Sequence, residues 1–382
     1  MRLDKVCRIT MGQAPSGDSY NFDGNGLALI AGAGDFGKET PEPKKYTTAA
    51  GKRSEEGEII LCIRATIGDL NWSDKEYCLG RGVAGLFGHK DKLDQKYLWH
   101  WLKNVAPLLK SKGKGATFLQ VTKEDICSLE ITLPPLAEQR RIASILDQAD
   151  ELRQKRQQTI EKLNQLLQAT FIDMFGDPVS NPKGWDLVRV GEVVNEFIGG
   201  KNIECPDESD SDYKILKVSA VTSKVYKPHE SKFAPNTFEP NPLAIVEKGD
   251  LLFSRANTTE LVAATAYVWE TPENIVLPDK LWKFSISDES KVNKLYLWDL
   301  FKNIEFRNEL SKLSSGTSGS MKNISKGKLN ELKMPLPPKE LQDKFAEFST
   351  KLWVQIKTFQ QSSDSLDSLF NSLQNQAFNG TL

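Results

Sequence analysis

Hydrophobic residues recur in steps of four and three along two stretches of this chain, and a pair of prolines precedes each stretch. The prolines are Pro134 and Pro135 before the first stretch and Pro337 and Pro338 before the second. Steps of four and three are typical of a coiled-coil seam, and proline is tolerated only in the first turn of a helix, so each pair marks a helix start. The predicted seam residues are Ile145, Leu152, Leu163, Leu166, Phe348, Leu352, Phe359, Leu366, Leu369 and Leu373.

The hydrophobic pattern also indicates that the chain repeats itself. A Leu-Pro-Pro motif begins at Leu133 and again at Leu336, and the two helical stretches end at Phe175 and Phe378. Both offsets are 203 (336 − 133 and 378 − 175), so neither stretch contains an insertion or deletion relative to the other. Two helices of matched length indicate a spacer, and a function that depends on a fixed distance.

A globular copy of the repeat precedes each helix and sets the expected fold. A turn glycine followed by an apolar run, at 57–61 and at 249–253, predicts a matching strand in both copies. We expect an α+β protein in which two mixed α/β domains are joined by two long antiparallel helices that form a coiled coil, with a pseudo-twofold internal repeat. Antiparallel packing is expected because the second domain must return along the first helix before its own helix begins. The expected boundaries are 1–134 and 185–337 for the domains, 135–175 and 338–382 for the long helices, and 176–184 for a linker rich in turn residues.

The composition is that of a globular protein. The 382 residues are 39% hydrophobic and 26% charged, which is ordinary for about two to three folded domains. No apolar run approaches the roughly 18 residues of a membrane helix, and no signal-peptide pattern opens the chain. The five cysteines are scattered and odd in number, which argues against a disulfide framework or a zinc site, so we expect a cytoplasmic protein.

Positive charge is concentrated in two windows, although the net charge is only −1. Residues 103–123 and 310–330 contain lysines and no acidic residue, and the two windows overlap under the repeat offset. Equivalent basic loops predict contacts with nucleic-acid phosphates, while neighbouring amide and hydroxyl groups suit base edges. Plain solvated surface is the alternative interpretation. The candidate DNA-binding residues are Lys110, Lys112, Lys114, Thr117, Gln120, Thr317, Ser318, Lys322, Asn323 and Lys326, with Arg64, Arg81, Arg255 and Asn257 beside predicted strands.

Two short motifs imitate catalytic sites but lack the required context. Residues 32–37 fit G-x-G-x-x-G, yet prolines follow at once and prevent the helix that such a phosphate loop needs. Asp279 and Glu289 imitate a metal-nuclease pattern, but the matching segment of the first copy, 79–82, lacks it. We therefore expect no catalytic residue, no metal site and no cofactor bound by this chain.

The helix starts resemble those of a known family. The run Leu-Pro-Pro-Leu-Ala-Glu-Gln-Arg-Arg-Ile at 133–142 resembles the central conserved region of the specificity subunits of type I restriction–modification systems. Ala377, Phe378, Asn379 and Gly380 resemble the usual ending of that family. The likeness covers essentially the whole chain, and it is strong in the helices and weak in the domains.

This resemblance implies a function. Each globular domain would be a target-recognition domain that reads one half of a bipartite double-stranded DNA site, and the helices would set the spacer between the halves. Two methyltransferase subunits, which bind S-adenosylmethionine, would dock on the helical parts, and restriction/translocase subunits would add cleavage. Two alternatives are a two-domain coiled-coil scaffold that binds no DNA, and the recognition subunit of a related system whose nuclease is separate or fused.

Overall fold

A computed structural model describes residues 1–115, 119–206, 208–286, 288–316 and 322–382. The chain folds as two compact units, one made of Met1–Gln158 with Gln360–Leu382 and the other of Thr159–Phe359. Each unit holds one globular domain, the first part of the long helix that follows this domain, and the last part of the other long helix. The prediction of separate domains ending at 134 and 337 stays a prediction, since each compact unit also includes helix segments from two places in the chain.

Within the described residues up to 175, the chain forms eight strands followed by three α-helices. The strands are β1 (Cys7–Met11), β2 (Tyr20–Asn21), β3 (Leu27–Ile30), β4 (Lys45–Thr47), β5 (Ile59–Cys62), β6 (Leu70–Trp72), β7 (Cys78–Leu79) and β8 (Val83–Gly88). Helices α1 (Gln95–Ser111) and α2 (Lys123–Cys127) follow, and then the first long helix, α3 (Leu136–Phe175).

The remaining elements contain a second set of strands and helices. In chain order they are β9 (Asp186–Arg189), α4 (Val190–Val193), β10 (Glu196–Gly199), β11 (Lys214–Leu216), α5 (Ser219–Thr222), β12 (Ser231–Phe233), β13 (Leu251–Ser254), β14 (Ala256–Asn257), β15 (Thr265–Tyr267), β16 (Ile275–Val276), β17 (Leu281–Ser285), α6 (Lys294–Lys302), α7 (Ile304–Lys312), β18 (Lys322–Asn323), α8 (Lys326–Glu331), β19 (Lys333–Leu336) and α9 (Lys339–Asn379).

The two domains share their sheet topology. An antiparallel sheet has the order β1-β8-β5-β6 in the first and β10-β17-β13-β15 in the second. A smaller sheet contains one parallel pair in each domain, β3 with β7 and β11 with β16. The α+β fold class and the internal repeat that the sequence predicted are therefore confirmed.

The long helices are antiparallel in the first unit, as predicted. Helix α3 has 40 residues and α9 has 41, so each is about 60 Å long. In the first unit Arg153 forms an ion pair with Asp367, and Arg141 donates to the main-chain oxygen of Leu382. Residue numbers therefore rise along one helix as they fall along the other.

In each unit an aromatic contact joins the end of one long helix to the globular domain. Tyr97 packs edge-on against Phe378, with ring centroids 5.4 Å apart, and Tyr296 packs edge-on against Phe175 at 4.9 Å. Both tyrosines are buried, and each hydroxyl donates to a main-chain oxygen just before the next long helix, Thr132 at 2.9 Å and Pro335 at 2.7 Å.

A buried glutamine fixes the start of each long helix. In the first unit Gln139 Oε1 accepts from the Asp94 main-chain N–H at 2.9 Å, and its Nε2 donates to the oxygens of Lys92 and Pro134. Gln342 does the same in the second unit with the N–H of Asn293 and the oxygens of Lys291 and Pro337. Each amide therefore binds the long helix to the loop that leads into α1 or α6.

The predicted coiled-coil seam is wrong at three positions. Leu152, Leu166 and Leu369 are 56%, 47% and 53% exposed, whereas Leu167 and Phe370, which follow the last two of these, are each 5% exposed. Each helix half packs against a globular domain as well as against the other helix, and this double packing rotates the buried stripe by about one residue. Leu352 is buried, and the other predicted positions, Ile145, Leu163, Phe348, Phe359, Leu366 and Leu373, are half-buried.

Candidate nucleic-acid interface

In the first unit the basic window is held at the end of strand β5. The main chains of Lys114 and Gln120 exchange two hydrogen bonds of 3.0 Å, and Gln120 also forms a bridge with Arg64. The Val121 N–H then donates to the Ile63 oxygen at 3.0 Å. These bonds bring Lys114, Gln120 and Arg64 together, as candidates for one DNA-contacting surface would require.

The second unit holds its basic window in the same way. Ser315 and Asn323 exchange main-chain bonds of 3.0 and 2.9 Å, and β18 pairs with β14 through Ala256 and Asn323. Gln120 and Asn323 therefore hold equivalent places in the two domains. The intervening residues Thr117, Thr317 and Ser318 lie outside the described residues.

The lysines of the two windows differ in their contacts. Lys110, Lys114 and Lys326 are exposed. Lys112 Nζ lies 3.5 Å from Ser128 Oγ, and Lys322 Nζ donates to the Gly316 oxygen at 2.7 Å. Lys322 therefore stabilises its own loop, and any phosphate contact would use its remaining N–H groups.

Two acidic residues, Glu124 and Asp125, follow the first basic window directly. Asp125 accepts from the N–H and hydroxyl of Thr122 at 2.8 and 2.6 Å, in the capping box of α2. These hydrogen bonds from Thr122 lower the pKa of Asp125, and Lys114 and Lys112 lower it further. The carboxylate therefore stays ionised and reduces the positive potential of the loop close to α2.

The arginine candidates have different surroundings in the two domains. Arg64 and Arg81 line one cleft of the first domain, and Arg81 is exposed. Arg255 instead donates through Nε to the Asp279 oxygen at 2.7 Å and through Nη1 to Asn323 Oδ1 at 2.9 Å. Its guanidinium therefore braces the loop, while Asn257 pairs with Lys322 through the main chain.

Sequence reasoning missed the two glutamines at the helix starts. Polar residues on a helix are ordinarily exposed, so the sequence did not indicate that Gln139 and Gln342 are buried. They stood out only as part of the motif that resembles the family. Their occurrence at the same offset of 203 (342 − 139) was the available signal.

The described part of the chain contains no cluster of three or more His, Cys, Asp or Glu side chains that could hold a metal ion. In the same part, no helix is both long enough and apolar enough to cross a membrane.

The repeated domains, paired helices and equivalent basic loops define a class of two-domain proteins with a helical connection, and sequence comparison gives the family. The family described as type I restriction modification DNA specificity domain matches residues 1–164 and 182–366. The chain belongs to this family, and the resemblance inferred from its helix starts is confirmed.

Individual relatives have matching names. The putative type I restriction enzyme MjaX specificity subunit of Methanocaldococcus jannaschii is 37% identical over 162 residues, 42% of this chain and 38% of that protein. The MjaVIII specificity subunit of the same organism is 28% identical over 271 residues, 67% of this chain and 62% of that protein. The EcoEI specificity subunit of Escherichia coli is 30% identical over 169 residues, 43% and 28% of the two chains. The matches thus span less than two thirds of each relative.

Two solved structures share the fold. The S subunit of a type I restriction-modification system from M. genitalium superposes with a TM-score of 0.59 at 16% identity, covering 99% of this chain and 95% of its own. A chain from a study of the assembly and conformational transition of the type I R-M system gives 0.56 at 18% identity, covering 100% and 97%. At these identities the likeness concerns the fold alone.

Proposed function

We propose that this chain is the DNA sequence-specificity subunit of a type I restriction–modification complex. Each globular domain reads one half of a bipartite site in double-stranded DNA, and the two long helices fix the spacer between the halves. The observation that carries the proposal is the pair of basic loops, anchored by equivalent main-chain bonds at Gln120 and Asn323 in a family of DNA specificity domains.

The proposal assigns the chemistry to partners. Two methyltransferase subunits bind S-adenosylmethionine and modify the DNA, restriction/translocase subunits cut it, and the complex works in the cytoplasm. This chain itself is not catalytic. Asp279 and Glu289 illustrate the point, because the first approaches Arg255 at 3.9 Å and the second approaches Lys294 at 3.9 Å, in separate ion pairs.

The test is a methylome measured in a host without other adenine methylation. Expressed with the partner methyltransferase, the chain should produce modified adenines within one bipartite motif, and omitting the chain should abolish them. Exchanging residues 185–337 for those of another family member should change one half of the motif and keep the other. Methylation that ignores this exchange would contradict the proposal.

The same measurement separates the alternatives. A scaffold that binds no DNA would leave the methylome unchanged whether or not the chain is present. A related system with a separate or fused nuclease would cut at a bipartite motif without methylating it. In the assembled complex, Asp279→Ala combined with Glu289→Ala should leave cleavage intact.

A further inference from the structure

A cleft of about 760 Å³ opens in the globular domain of the first unit, and the residues that line it all lie between Ala14 and Gly82. Two turns supply its charged residues: Arg64 follows β5, and Arg81 lies between β7 and β8. Small residues form most of the remaining wall, including Gly32, Ala33 and Gly34. Asp69 is the one acidic residue among those that line the cleft.

The main chain around Arg81 is fixed while its side chain is unused. The N–H groups of Gly80 and Gly82 donate to the oxygens of Ile30 and Ala31 at 2.8 and 3.1 Å, and the Gly82 oxygen accepts from the Ile63 N–H at 2.9 Å. A Cβ at Gly82 would stand 2.3 Å from the Ala31 oxygen, so only glycine permits this approach.

The Arg81 side chain is exposed and makes no hydrogen bond or ion pair within the described ranges. Its guanidinium offers five N–H donors in a planar fork, which matches the geometry of a phosphate or a carboxylate. A rigid main chain therefore presents an uncommitted cation to the cleft.

We propose that this cleft holds the sugar–phosphate backbone of one DNA strand, with Arg81 and Arg64 contacting its phosphates. The inference rests on the proposed function, because it assumes that the domain binds duplex DNA. A duplex is concave at its grooves and convex along its two phosphate ridges. To read base edges in a groove, a protein needs an element that protrudes from its surface. A recess that contains two arginines instead accommodates the phosphate ridge of one strand.

The equivalent turn of the second domain is built differently. Between β16 and β17 it carries Asp279, and Arg255 donates to the main-chain oxygen of Asp279 and lies 3.9 Å from its carboxylate. This turn carries no arginine, and Arg255, which follows β13, is committed to contacts within its own domain. The strand-holding cleft is therefore assigned to the first domain, and the second must contact phosphates by other groups.

The first experiment is a salt titration of duplex binding by the full chain in complex with its methyltransferase. Arg81→Ala should reduce the slope of log affinity against log salt by about 0.9 and weaken binding about eightfold at 0.1 M salt, the loss of one phosphate contact. Asp69→Asn should act in the opposite sense and tighten binding about threefold, since it removes a like charge from the phosphate's surroundings. Arg53→Ala is the matched control, because Arg53 is exposed in the same unit, pairs with Glu76, and does not line the cleft.

A second variant tests the cleft by shape. A Cβ at Gly34 would meet no atom within 4 Å, so Gly34→Leu should fold normally and place its side chain in the recess. It should weaken binding to all duplexes while leaving the melting temperature unchanged. Normal affinity in both Arg81→Ala and Gly34→Leu would overturn the inference.

The methylome shows whether Arg81 contacts a phosphate or a base. The Arg81→Ala complex should modify the same motif as the wild type, only less completely, because a phosphate contact carries no sequence information. A motif relaxed at one position would mean that Arg81 contacts a base, and it would also overturn the inference. If the wild-type complex binds no DNA, the proposed function itself fails, and the cleft assignment with it.

Discussion

Gln139 and Gln342 occupy the same place in the two copies, and both side chains are 1% exposed or less. Each satisfies one N–H and two carbonyl groups that burial would otherwise leave without partners. A buried donor or acceptor that loses its partner costs roughly 1–3 kcal/mol. The glutamine at each helix start therefore acts as a polar latch between the long helix and its domain.

Gln139→Leu should lower the free energy of unfolding of the first unit by about 3 kcal/mol, because leucine fills the space but leaves the Asp94 N–H and two oxygens unpaired. Urea denaturation of the full chain measures this loss. Gln148→Leu, at an exposed position of the same helix, should change the stability by less than about 0.5 kcal/mol. Equal effects of the two substitutions would contradict the latch.

His100 is a second buried polar residue, and its state depends on pH. Its Nε2 lies 2.8 Å from Asp147 Oδ1, while Nδ1 finds no partner in the described part of the chain. Burial lowers the pKa of His100 below its ordinary value, and Asp147 offsets this only in part. The folded protein therefore holds a neutral imidazole that donates from Nε2.

The unfolded chain takes up a proton at His100 near the ordinary pKa of about 6.5, before the folded chain does. Because the unfolded state binds more protons in that window, the free energy of unfolding should decrease as the pH falls from about 7 towards the folded-state pKa. His100→Gln should flatten this decrease in denaturation curves recorded between pH 7.5 and 5.5. His229→Gln, at an exposed histidine, should retain the wild-type slope.

In the long helices, alanine substitutions can test which residues form the buried face. Phe370→Ala should lower the free energy of unfolding by about 3–5 kcal/mol, because it leaves a cavity where a buried aromatic ring was. It also removes the ring whose centroid lies 4.4 Å from the Arg153 guanidinium carbon. Leu369→Ala, one residue earlier and 53% exposed, should cost less than about 1 kcal/mol. A larger loss of stability in Leu369→Ala than in Phe370→Ala would support the seam predicted from the sequence.

The sequence was sufficient to predict the number, the length and the antiparallel direction of the long helices, because prolines mark their starts and a constant offset relates them. It was insufficient for the buried face, since Leu166 and Leu167 are both leucines and the choice between them is made by packing. The same limit applies to the candidate interface. Arg255 and Arg81 are both arginines beside strands, yet only the fold places an oxygen of Asp279 and the Asn323 amide against Arg255.

For the whole molecule, the spacer hypothesis makes a prediction about DNA. The compact units divide α3 between Gln158 and Thr159 and divide α9 between Phe359 and Gln360. One heptad inserted after Gln157, with another after Gln360, keeps the helical phase and adds about 10 Å. The methylome should then show the same two half-sites separated by one to three additional base pairs, at about 3.4 Å per base pair. Altered half-sites with an unchanged spacer would refute the hypothesis.

The discontinuous composition of the first unit has a consequence for synthesis on the ribosome. Its hydrophobic core includes Phe370, Ala377 and Phe378, which are made about two hundred residues after the domain that they cover. The second unit is one uninterrupted segment, Thr159–Phe359, and has all its residues earlier. Chains usually complete their domains in the order of synthesis. Here the domain translated first can complete its hydrophobic core only after residue 378 has been made, whereas the second unit has its complete sequence once Phe359 has been made.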